Sequence, residues 1–99
     1  MPRVELTQRF VDDASGIWSD RVFDRVYRMV KGLETFPLIG STDVPRSIIR
    51  EFGEGVRKCA VPPFDLVYEY DEQSDVVYVY GLVPVRRQGR REIRVGDAS

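Results

Sequence analysis

The chain has 99 residues, 15 basic against 16 acidic, one cysteine and no histidine. That length predicts one domain over residues 1–99 built on one apolar core, near the lower limit for a core without covalent staples. A single thiol and no imidazole exclude an internal disulfide and a thiolate or histidine zinc site, and no metal or cofactor is called for. No apolar run approaches the roughly 18 residues of a membrane span and the N-terminus lacks an apolar signal core, so a cytoplasmic protein without a membrane partner is expected.

Charge is unevenly spread. Residues 86–99 carry Arg86, Arg87, Arg90, Arg91 and Arg94 against Glu92 and Asp97, which leaves the first 85 residues net negative. This basic tail reads either as a solvated end or as a contact for phosphates or an acidic partner.

In chain order, Val4 and Leu6 alternate with Arg3, Glu5 and Thr7 as a short strand, and Thr7 can cap a helix. Helical spacing follows, with one stripe at Phe10, Val11, Ala14, Ile17 and Trp18 and another at Val22, Phe23, Val26, Tyr27, Val30 and Leu33. Gly16 weakens the first helix and Ser19 or Asp20 can cap the second, which predicts a helical hairpin with Trp18 packed in it. Pro37 ends the second helix near Phe36. DVPRSIIREFG then predicts a short helix capped by Asp43 with Pro45 in its first turn, and VRKCAV (56–61) a strand with Cys59 as a small buried residue. Pro62 and Pro63 force a bend.

The strongest pattern is FDLVYEYDEQSDVVYVYGLVP. Phe64, Leu66, Tyr68 and Tyr70 alternate with Asp65, Val67, Glu69 and Asp71, the period of a half-buried strand. DEQSD is polar enough for a hairpin connection. In the second strand Val77, Val79 and Val83 alternate with Val76, Tyr78, Tyr80 and Leu82, apolar on both faces as a central strand requires. The fold class predicted is α+β: a short N-terminal strand, a helical hairpin and a three-stranded antiparallel meander, in one sheet with helices on one face. Tyr68, Tyr70, Tyr78 and Tyr80 read as sheet packing or as a base-stacking platform. Lys58 shares its strand face with Val56 and Ala60, and either snorkels from an apolar patch or faces a phosphate.

The blocks VELT, the hairpin ending LETFP, LIG, VRKC, FDLVYEYD and VVYVYGLVPVRR resemble, in order and across nearly the whole chain, the RelE/ParE superfamily of bacterial toxins from type II toxin–antitoxin systems, which includes plasmid-stabilisation proteins. The resemblance implies a RelE/ParE-like fold, a toxin bound and neutralised by an antitoxin protein, and one of two targets. RelE-like members cleave mRNA on the ribosome; ParE-like members inhibit DNA gyrase. The residues leave that branch open. Where RelE-like enzymes place an arginine after the aromatic opening the middle strand, this chain has Asp65; Pro84 stands where many relatives have histidine, and no tyrosine follows Tyr80. Lys58 and Arg86 remain as catalytic candidates for an endoribonuclease, with Arg57, Arg87, Arg90 and Arg91 as candidates for nucleic-acid or antitoxin binding. The short hairpin is closer to the RelE-like branch. A non-toxic interaction module of the same fold is the alternative, with homodimerisation open.

Overall fold

The computed structural model describes residues 1–88. Strand β1 (Arg3–Leu6) leads into helices α1 (Gln8–Ser15), α2 (Asp20–Leu33) and α3 (Arg46–Phe52), followed by strands β2 (Arg57–Val61), β3 (Phe64–Asp71) and β4 (Val76–Pro84) and a 3-10 turn (Val85–Gln88). The sheet order is β1-β4-β3-β2, with β1 parallel to β4 and the other pairs antiparallel. The predicted meander is therefore present, and β4 lies inside the sheet because the N-terminal strand closes its far side. No helix among the described residues is long and apolar enough to cross a membrane.

Caps divide the helices as the polar residues suggest. Thr7 Oγ1 accepts from the Phe10 N–H at 3.2 Å, and Ser19 Oγ accepts from the Val22 N–H at 3.2 Å, each satisfying a donor that the first turn leaves open. Phe10, Val26 and Leu33 bury against Leu66, Tyr68, Val77 and Val79, so both helices of the hairpin cover one sheet face. Full burial of a side chain such as Leu33 contributes about 1.5–3 kcal/mol.

Three local expectations are corrected. Trp18 is 96% exposed rather than packed in the hairpin. The reason is that α1 stops at Ser15 with Gly16 as its C-cap, so helical spacing no longer governs residues 17 and 18: Ile17 turns toward the core and Trp18 outward. Asp43 does not cap α3. That helix starts at Arg46 after Pro45 with no side-chain cap, while the Asp43 N–H donates to Ser41 Oγ at 3.0 Å.

The third correction concerns β4. Val67 faces Gly81 while Tyr68 faces Val79, so Tyr80 is an extra residue, a β-bulge. The bulge shifts the alternation by one: Leu82, not Val83, joins Val77 and Val79 beneath the helices, and Val83 goes to the opposite face. There α3 packs Ile48 and Phe52 against Val56, Val67, Val83 and Tyr80 as a second, smaller apolar cluster. The hairpin thus lies on one face as expected, and the short third helix covers part of the other.

Candidate functional site

Of the catalytic candidates, Lys58 belongs to the sheet face that α1 and α2 leave open. Lys58 of β2 pairs with Val67, which places its side chain on the same side as Asp65 and Glu69 of β3. Lys58 Nζ lies 3.8 Å from Asp65 Oδ2, and Asp65 is only 2% exposed. A carboxylate withdrawn from water needs counter-charge and hydrogen bonds, and Lys58 supplies part of the counter-charge. Burial first, and then Asp65, push the neighbouring Cys59 thiol above its ordinary range, which keeps it protonated.

Farther along this face, the Tyr80 hydroxyl donates to Glu69 Oε1 at 3.0 Å, and Phe52 stacks on Tyr80 with ring centroids 6.2 Å apart. Burial, with the hydrogen bond to Glu69, pushes the Tyr80 hydroxyl up to about 12. Arg86 sits in the exposed turn after β4 and makes no ion pair among the described residues. Arg57 points to the hairpin-covered side, where its guanidinium donates to the carbonyls of Leu38 at 3.3 Å and Gly40 at 2.9 Å. Arg87 belongs to the same turn as Arg86. Arg90 and Arg91, with most of the basic tail, lie outside the described residues.

The four tyrosines do not form one platform. Tyr68 and Tyr70 pack with the hairpin core, whereas Tyr80 packs with α3. Tyr68 is fully buried: its hydroxyl accepts from the Gly40 N–H at 2.8 Å and donates to the Pro37 carbonyl at 2.9 Å.

A different feature dominates the hairpin side. α1, α2 and β1 enclose an open groove of about 540 Å³, lined by Leu6, Phe10, Val11, Phe23, Tyr27 and Val30 among others. Leu6, Val11, Phe23 and Tyr27 are all exposed there. The groove runs beside a free sheet edge. Arg3 and Thr7 donate to the Asp75 and Val79 carbonyls of the β4 side, both at 3.1 Å, so alternation turns the Val4 and Leu6 peptide groups outward. The helical stripes alone do not disclose this groove. Its signal is that α2's apolar arc is wider than one core contact needs, with Phe23 and Tyr27 lying off the line of Val22, Val26, Met29 and Leu33.

The back of α1 joins the two regions. Arg9 donates to Asp13 Oδ2 at 2.9 Å and to Glu51 Oε2 of α3 at 2.6 Å, and its guanidinium lies 5.0 Å from the centroid of Phe52. Asp13 also accepts from the Leu82 N–H at 3.0 Å, the donor beside the bulge. The backbone there is crowded: a Cβ on Gly81 would come within 3.1 Å of Asp13 Oδ2 and 3.3 Å of the Phe52 ring.

The profile of a family described as "ParE toxin of type II toxin-antitoxin system, parDE" matches residues 4–91. No curated protein sequence matches significantly. Among solved structures, the fold resembles the RelBE2 toxin–antitoxin complex of Mycobacterium tuberculosis (TM-score 0.67, 17% identity, 84% of this chain and 96% of that one). It also resembles the isolated RelE toxin of E. coli (TM-score 0.64, 13% identity, 95% and 100% covered). A metal-bound toxin from Helicobacter pylori is similar at a TM-score of 0.60 and 22% identity, with 88% and 98% covered.

Proposed function

Because the chain belongs to the ParE toxin family of type II toxin–antitoxin systems, we propose that its antitoxin occupies the apolar groove between α1 and α2, and that the released toxin acts on DNA gyrase without cutting nucleic acid. The groove is the observation that carries the reading. A partner helix laid across Val11, Phe23 and Tyr27 buries its own apolar face, and an extended stretch beside it pairs with the outward peptide groups of Val4 and Leu6. One similar structure is itself a toxin–antitoxin complex, which supports an antitoxin as the occupant. Either candidate target places the action in the cytoplasm.

The choice of gyrase over RNA rests on the chemistry of the open sheet face. Cleavage by a 2′-hydroxyl needs a proton acceptor, a proton donor and cations around the phosphate. Lys58 is held against a buried carboxylate, and Glu69 puts a second carboxylate on that face. Carboxylates there repel a phosphate that Lys58 would attract. Ribosome-dependent mRNA cleavage is the second reading, favoured by the likeness to the E. coli RelE fold and drawing on Lys58 and Arg86.

Induced expression with and without the gene beside it tests the toxin reading. Growth arrest relieved by the neighbouring product is expected; absence of arrest at every expression level replaces the toxin by a non-toxic interaction module. With purified components the chain should inhibit gyrase supercoiling and leave ribosome-bound mRNA intact. Cleavage of that mRNA, lost in Arg86→Ala, establishes the RelE-like reading instead.

A further inference from the structure

α2 has a second flank, opposite the antitoxin groove. Arg21, Arg25 and Arg28 recur at i, i+4 and i+7, which aligns them along one side of the helix. Arg28 is paired with Asp24 at 2.9 Å, while Arg21 and Arg25 make no ion pair among the described residues. This row leads into a shallow groove of about 340 Å³, where Arg25 and Arg28 stand beside Met29, Phe36, Ile39 and Pro62. No carboxylate lines that groove among the described residues.

The apolar side chains at this end are held in place. Phe36 and Ile39 are each 61% exposed and Leu38 is 51% exposed. Their loop is anchored from below by the Tyr68 hydroxyl, through Pro37 and Gly40, and by Arg57, through Leu38 and Gly40. Exposure is thus built into a fixed loop, and a partner would lose little entropy ordering it. Strand addition is blocked at Lys58. Ser41 exchanges two backbone hydrogen bonds with Lys58, at 2.9 and 3.0 Å, and so occupies the outer edge of β2 there.

We propose that this flank is a second docking surface, whose occupant is an acidic protein segment carrying apolar side chains, separate from the groove assigned to the antitoxin. Charge complementarity identifies the occupant. The first 85 residues are net negative, yet this flank presents Arg21 and Arg25 without an ion pair among the described residues, beside Arg28 paired with Asp24, and no carboxylate lines its groove, so an acidic segment is attracted and a basic one repelled. The apolar floor distinguishes it from a phosphate site: Met29, Phe36, Ile39 and Pro62 offer area to leucine or phenylalanine and no donor to a phosphate oxygen. Phe23, Tyr27 and Val30 face the other groove, so both surfaces can be occupied at once.

The test is a titration of the isotope-labelled chain with a short synthetic amphipathic peptide of glutamate and leucine, followed by amide chemical shifts. Shifts should centre on Arg25, Met29 and Ile39 and leave Phe23 and Tyr27 unmoved. Arg21→Glu with Arg25→Glu should weaken binding roughly tenfold, and the same peptide with lysine for glutamate should not bind. Ile39→Ser should weaken it by a similar factor, and unchanged thermal midpoints confirm that both variants fold. The proposal is overturned if no shifts appear on this flank, if they fall on the antitoxin groove, or if the lysine peptide binds equally. It is also overturned if a single-stranded oligonucleotide binds this flank where the acidic peptide does not. Because the readout is local shifts, failure here leaves the antitoxin reading standing.

Discussion

Tyr68→Phe is a small change whose cost follows from the structure. The ring stays fully buried, so packing is nearly unchanged and only the hydroxyl is lost. That oxygen is the partner of a buried N–H at Gly40 and of the half-buried carbonyl of Pro37. The Gly40 N–H is buried and loses its acceptor, which costs about 1–3 kcal/mol; the Pro37 carbonyl is half-buried, can recover water and adds about 1 kcal/mol or less. The expected destabilisation is about 1–4 kcal/mol, a large share of the stability of a small domain. Urea unfolding followed by fluorescence measures it, with an unchanged slope and a lower midpoint. Hydrogen exchange should accelerate first at Gly40, because the loop bearing Phe36, Leu38 and Ile39 loses its anchor. A loss under about 0.5 kcal/mol would refute the claim that this hydroxyl secures the loop.

Asp13→Ala should cost about 1–3 kcal/mol, because it removes the acceptor of the bulge donor at Leu82 and one of the two carboxylates that hold Arg9; the same urea assay checks it. Lys58→Ala should destabilise the chain by about 1–3 kcal/mol, and Asp65→Asn in the same chain should recover part of that loss, a coupling read by a double-mutant cycle. For Tyr80 the folded hydroxyl ionises at about 12, above the unfolded value near 10. Its contribution is therefore fully present below about pH 10 and lost as pH rises toward about 12. Absorbance titration at high pH should show this late ionisation, absent in Tyr80→Phe and earlier in Glu69→Gln.

Much of the architecture was legible because local chemistry and burial agree along the chain. Thr7 and Ser19 cap where they stand beside apolar stripes, and Phe64, Leu66, Tyr68 and Tyr70 share the hairpin face as their alternation implies. β3 is not half-buried, however, because Asp65 and Val67 on its other face are buried too. Legibility fails where a tertiary contact overrides periodicity. The bulge at Tyr80 depends on α1 supplying Asp13 to the freed Leu82 donor, a partner 69 positions away, so β4 alone reads as unbroken alternation. Trp18 fails for the opposite reason: three residues past the end of α1, spacing no longer implies direction.

The candidate site was legible only in part. Lys58 and Asp65 were both singled out, but pattern gave no sign that the carboxylate is buried and faces the lysine. Arg57, one residue away, turns to the other side and engages loop carbonyls, as alternation of the strand requires. Neither groove beside α2 was apparent, because each is built from elements far apart in the chain: β1 with α2 in one case, and α2 with Pro62 in the other.

The most direct measurement is the affinity of the purified antitoxin for Tyr27→Glu and Val11→Glu chains, set beside their effect on growth. Both positions are exposed, so the fold should survive, and each new carboxylate sits where an apolar side chain of the antitoxin would lie. The account predicts growth arrest as strong as in the natural chain, binding weaker by roughly tenfold or more, and failure of the antitoxin to relieve the arrest. Full relief with unchanged affinity would contradict it and move the antitoxin to another face of the molecule.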